Sequence, residues 1–200
     1  MLAFAAAVFF LIVTPGPGVL SAAGVGASFG YRPGFNYLAG LFVGTNIVAA
    51  LVVSGVAAAV LAWAPLRVIL MIASTLYLLY LASKIALAGA KVGFIHPETA
   101  PGLKEGLLLQ FINPKAYAVN TALFSGFPMA MALGAETLVK FLIINVIWIP
   151  IHLVWLGAGV AVQRMELPPR TQRIVNILMA TAMLAVVGLA FWQGFLKGTS

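Results

Sequence analysis

The chain has 200 residues, 63% of them hydrophobic and 8% charged, with a mean hydropathy of +1.11. Soluble domains carry about a quarter charged residues, so that class is excluded and the chain reads as an all-α polytopic membrane protein forming one unit over residues 1–200. The net charge of +7 then reflects basic cytoplasmic loops, not nucleic-acid binding, and the lack of cysteine excludes disulfides, thiol redox chemistry and thiolate metal sites.

A span needs about 20 apolar residues. The first expected span, residues 2–28, is interrupted by Thr14-Pro15-Gly16-Pro17-Gly18. Proline removes a backbone donor and clashes with the preceding turn, so two prolines here predict a broken helix. No basic stretch precedes this segment and the chain stays apolar beyond it, so no cleaved leader is expected. A polar turn, Gly30-Tyr31-Arg32-Pro33-Gly34, leads to a second span over 37–63, and Pro65 marks the next turn. The third span is expected over 68–88, followed by the one long loop, 89–106, which holds Lys91, His96, Glu98, Lys104 and Glu105. The fourth span, 107–133, is broken again at Asn113-Pro114-Lys115. The fifth, 138–162, contains Pro150 and His152, and the sixth covers 174–195.

Loops after the odd-numbered spans hold seven basic residues against three on the other side. Positive charge favours the cytoplasmic face, which places the long loop inside and both termini outside. Pro15 and Pro114 stand 99 residues apart, as do Asn46 and Asn145. Both halves, about 1–88 and 107–196, read as broken span, span, span. Three spans per half invert the second half, so the expected fold is six transmembrane helices in a 3+3 inverted-topology repeat with broken first and fourth spans. Such repeats hold substrate between the halves near mid-membrane.

A half-helix starting at a break offers free amides and a positive dipole end to a carboxylate, and one ending there offers carbonyls to an ammonium group. The expected binding residues are therefore Thr14, Pro15, Gly16, Pro17 and Gly18 with Asn113, Pro114 and Lys115, joined by Thr45 and Asn46 from the second span. An ionised lysine near mid-bilayer costs a few kcal/mol, about 2.5–3.5 on insertion scales. Lys115 either pairs with a substrate carboxylate or reaches toward the headgroups. Asn113 suits the N-cap of a helix opened by Pro114. Gln110, Asn46, Asn120 and Asn145 either line a cavity or tie helices together. His152 either accepts a proton, as a coupling group, or bonds a neighbouring helix. The four glutamates, Glu98, Glu105, Glu136 and Glu166, fall in or near loops and there is no aspartate. No metal site, cofactor or hydrolase cluster is expected.

With both proline motifs placed, the chain resembles the LysE/RhtB family of amino-acid exporters. The resemblance rests on Thr14-Pro15-Gly16-Pro17, on Gly40 with Gly44, on Tyr77-Leu78-Leu79-Tyr80-Leu81 followed by Lys84, and on Asn113-Pro114-Lys115-Ala116. It covers essentially the whole chain. It implies a secondary carrier, not an enzyme, that exports small amino acids or related metabolites from the bacterial cytoplasm by alternating access, with proton coupling as the family's usual drive. The implied partners are a small-molecule substrate and the lipid bilayer, with homo-oligomerisation compatible. Two positions depart from the pattern: Gly18 stands where relatives usually have Asn or Asp, and Thr45 where many have Asp. Missing carboxylates argue against cationic substrates. The rival from another class is a non-transporting membrane subunit that docks through the long loop.

Overall fold

A computed structural model describes residues 1–55 and 100–165, together with scattered positions between 63 and 83 and between 168 and 185. Most of the expected third and sixth spans, and the long loop up to residue 99, lie outside the described residues. Within them the secondary structure is entirely helical: α1 Leu2–Val13, α2 Pro17–Phe29, α3 Tyr31–Val53, α4 Leu103–Ile112, α5 Pro114–Gly126 and α6 Leu133–Arg164. Helices α3 and α6 are each long and apolar enough to cross a bilayer, and α1 with α2 form a third such unit bent by 51° at the break.

Proline chemistry sets both breaks. A residue that precedes proline is pushed out of the helical region. Thr14, before Pro15, has ψ 127°, Gly16, before Pro17, is fully extended, and Asn113, before Pro114, has ψ 106°. Pro17 and Pro114 then open α2 and α5 at their first turns, where the missing N–H costs nothing, while Pro15 stands between α1 and α2.

Several element boundaries differ from those expected. The polar turn at 30–34 shrinks to one residue, Gly30, whose φ of 79° reverses the chain between α2 and α3. Such a left-handed joint suits glycine, and Pro33 is tolerated because it falls in the first turn of α3. Helix α3 ends at Val53, well before residue 63, with Ser54 and Gly55 forming the turn. The fourth span starts at Leu103 and its second half stops at Gly126, while α6 starts at Leu133, five residues before the expected 138.

The helices lock through backbone contact. A Cβ on Gly40 would strike the carbonyl of Leu103, and one on Gly106 the carbonyl of Tyr37, so α3 and α4 interlock reciprocally. The same device joins α2 to α6, with Gly26 on the carbonyl of Leu156 and Gly159 on that of Ala23. In lipid the association of helices rests on such packing, because tails are as apolar as leucine. Around these contacts Val25, Tyr37, Leu41, Leu109, Trp148 and Leu156 form one core, and Phe4, Val8, Leu123 and Ile144 form a second toward the start of α1. Leu138, Leu142, Val146, Ile149 and Leu153 make an exposed apolar stripe along α6, as a lipid-facing surface requires.

Asn46 on α3 and Asn145 on α6 exchange two hydrogen bonds, 3.0 Å and 2.8 Å, between side chains 99 residues apart. The exchange ties α3 to α6 through side chains alone. Asn46→Leu should therefore cost about 1 kcal/mol of stability by stranding one amide, while Asn46→Leu with Asn145→Leu should cost less than the two single changes together. Unfolding of the detergent-solubilised variants measures this.

Candidate functional site

The two breaks lie side by side. Lys115, in the first turn of α5, extends its ammonium group to the carbonyl of Thr14 at 2.6 Å. That carbonyl lies just past α1, where the extended backbone at Gly16 takes away its helical donor and Pro15 and Pro17 remove those of carbonyls before it. Gly16 makes the reach feasible, since a Cβ there would stand 2.8 Å from Lys115 Cδ and 2.9 Å from its Nζ. At the second break Asn113 Oδ1 accepts the N–H of Lys115 at 3.1 Å, and Tyr117 donates its hydroxyl to the Phe111 carbonyl at 2.9 Å. Tyr117 thus serves the break.

Between the breaks lies a cavity of about 60 Å³, walled by Leu11, Ile12, Val19, Ala116, Val119 and Trp148. Its polar lining is Gln110, Asn113, Lys115, Asn120 and His152, together with the backbone of Gly16 and Gly18. Room for roughly two waters is far below the several hundred Å³ of ordinary ligand pockets. Among the described residues Lys115 is the one charged side chain in the lining.

The expected residues separate into three groups. Gly16, Gly18, Asn113 and Lys115 meet at the cavity, as does His152. Thr14 joins through its carbonyl, while Pro15, Pro17 and Pro114 shape the breaks without lining the space. Thr45 and Asn46 stand outside the lining, and Asn46 is committed to Asn145 and to the carbonyl of Phe42. Ser21 is also committed: it donates to the Gly18 carbonyl and accepts from Tyr37, bracing the start of α2.

His152 is 3% exposed. Its Nδ1 lies 2.9 Å from the Trp148 carbonyl and its ring stacks on the Trp148 indole with centroids 3.6 Å apart. Trp148 had no functional signal in the sequence; its position one turn before His152 on α6 was the available hint. Gln110 is brought to the cavity by Gly44, whose missing side chain lets the Gln110 Cβ approach α3.

A second polar cluster stands at the start of α6, with Glu136 in its first turn beside the 127–132 turn and Lys140 one turn further on. Lys140, 1% exposed, pairs with Glu136 at 2.6 Å and donates to the Phe124 carbonyl at 2.9 Å. Glu136 also accepts the Met129 N–H at 3.0 Å. Together they fasten the 127–132 turn and the end of α5 against α6, beside the Phe4 and Phe124 rings. Lys140→Met should lower the unfolding temperature in detergent more than Lys140→Met combined with Glu136→Leu, because the single change strands a carboxylate.

Comparisons with known proteins bear on this geometry. The profile of the LysE type translocator family matches residues 9–194. The chain is 30% identical over 142 residues to the leucine efflux protein of Enterobacter sp. (strain 638), a match covering 68% of this chain and 66% of that relative. The chain therefore covers just under two thirds of the relative's length. No solved structure matches.

Proposed function

The chain belongs to the LysE type translocator family, and from that premise we propose that it exports small neutral amino acids or related metabolites across the bacterial cytoplasmic membrane by alternating access. It is a transport protein of the membrane and not an enzyme. The observation that carries the substrate assignment is the Lys115 ammonium group set on the Thr14 carbonyl between two half-helix ends. A fixed cation, free amides at the start of α2 and free carbonyls at the end of α1 suit the carboxylate and ammonium groups of one zwitterion. The apolar walls suit an uncharged side chain, and the lack of a lining carboxylate among the described residues disfavours cationic substrates. The name of the Enterobacter relative, a leucine efflux protein, supports the same class.

In this reading the chain completes six spans as two inverted halves, with Asn46 and Asn145 on the axis between them and both termini outside. Substrate entry displaces Lys115 from Thr14, so that the lysine exchanges a backbone carbonyl for the substrate carboxylate. Proton entry, through His152, drives export.

Efflux from an overexpressing strain tests the reading. Loading cells with L-leucine or L-alanine should give faster efflux than in control cells, with a proton uncoupler abolishing the difference. Lys115→Ala, expressed at the normal level, should reduce efflux by about tenfold or more, the loss expected for one charge-assisted hydrogen bond. Normal efflux by that variant would remove Lys115 from the mechanism.

A further inference from the structure

Hydrogen-bond bookkeeping around the cavity orients two side chains that no motif singles out as a pair. The Lys115 N–H can only donate, so the Asn113 atom that receives it is Oδ1. Asn113 therefore presents its Nδ2 to Gln110, 3.4 Å away, and the Gln110 atom facing it is the acceptor Oε1. This leaves the Gln110 Nε2 as a donor directed elsewhere. On α6 the Trp148 carbonyl can only accept, so His152 carries its hydrogen on Nδ1 and its Nε2 holds a lone pair. Both free atoms converge on Gly18. A carbon placed where a Gly18 side chain would begin stands 3.6 Å from His152 Nε2 and 3.7 Å from Gln110 Nε2. These are ordinary contact distances, so the missing side chain leaves a recess that accepts a heavy atom without overlap. One wall of that recess accepts a hydrogen bond and another donates one.

We infer that Gly18, His152 and Gln110 form the head-group subsite for the transported amino acid: His152 Nε2 accepts from its ammonium group, and Gln110 Nε2 donates to its carboxylate beside Lys115. This rests on the proposed export of amino acids and names the residues that select the α-amino group. A donor and an acceptor at one recess match a zwitterionic head group, whereas a 2-oxo acid of the same side chain leaves the His152 lone pair unpaired. The stacked Trp148 indole fixes the imidazole plane, so the lone pair keeps its aim. The Nε2 lone pair binds either a proton or the ammonium group and never both, so proton and substrate compete for one atom. Lys115 is the one other titratable side chain in the cavity lining among the described residues.

Equilibrium binding of radiolabelled L-leucine and L-alanine to the purified full-length protein in detergent tests this. His152→Leu and Gly18→Val, the second filling the recess, should each weaken binding of the preferred amino acid about tenfold or more. His152→Gln, which keeps a neutral acceptor, should stay within about threefold of the natural chain on the same scale. Competition by the 2-oxo acid with leucine's side chain should be poor against the natural chain and nearly equal to leucine against His152→Leu. Unfolding temperatures confirm that each variant is folded. Amino-acid binding by the natural chain with unchanged affinity in His152→Leu and Gly18→Val overturns the subsite while leaving the export reading in place. No binding of either amino acid by the natural chain overturns both.

Discussion

Backbone groups freed inside a membrane must find partners in the protein, and the rest of this structure depends on how that constraint is met at two proline breaks. Pro15 and Pro17 strand the carbonyls that end α1, and Pro114 strands those that end α4. The chain answers with side chains drawn from one short segment. Asn113 caps α5, Tyr117 covers the Phe111 carbonyl, and Lys115 crosses to the Thr14 carbonyl. The last of these turns two local defects into one site, because the partner for the first break comes from the second. The arrangement is also poised: a cation held by a neutral carbonyl gives it up readily to a carboxylate, which binds a charged donor more strongly.

A site of this kind needs a frame that fixes distances between helices. Reciprocal glycine contacts provide it, by setting α3 against α4 and α2 against α6 at backbone range. Those contacts gather at the end where α2 gives way to α3. The opposite end is closed differently, by side chains: phenylalanines from α1 and α5 and the Glu136–Lys140 pair on α6. The cavity lies between a seam of backbone and a seam of rings and charges. The Asn46–Asn145 exchange joins α3 to α6 beside it.

Much of this was legible in the sequence where the physics is local. A proline acts on its own residue and the one before it, so both breaks, their extended residues and the Asn113 cap could be read from neighbours in the chain. Lys115 stood out because charge in an apolar run is costly wherever its partner lies. What was missed depends on partners remote in sequence or on element ends. Asn46 stood open between lining a cavity and tying helices, and the meeting of α3 with α6 commits it to Asn145. Gly30 looked like one residue of a five-residue turn, because its positive φ is a property of the path and not of the sequence. The Glu136–Lys140 pair had a visible signal in its i,i+4 spacing. It was overlooked because α6 was expected to begin at residue 138, which left Glu136 outside the helix. Gly18 and Thr45 were both read as losses of a polar ligand. For Gly18 the structure supplies what stands opposite, the free faces of His152 and Gln110, while Thr45 lies away from the cavity.

The central claim is that the two breaks enclose the substrate. The chain has no cysteine, so single cysteines report on chosen positions without a background. Val119→Cys places one thiol in the cavity wall, and Ser54→Cys places another at the exposed end of α3. Alkylation by a small thiol reagent would be followed in membrane vesicles with and without saturating L-leucine or L-alanine. The account predicts that the amino acid slows modification at position 119 severalfold and leaves position 54 unchanged. Equal rates at position 119 with and without an amino acid that the protein demonstrably moves would contradict it, by showing that the substrate passes elsewhere.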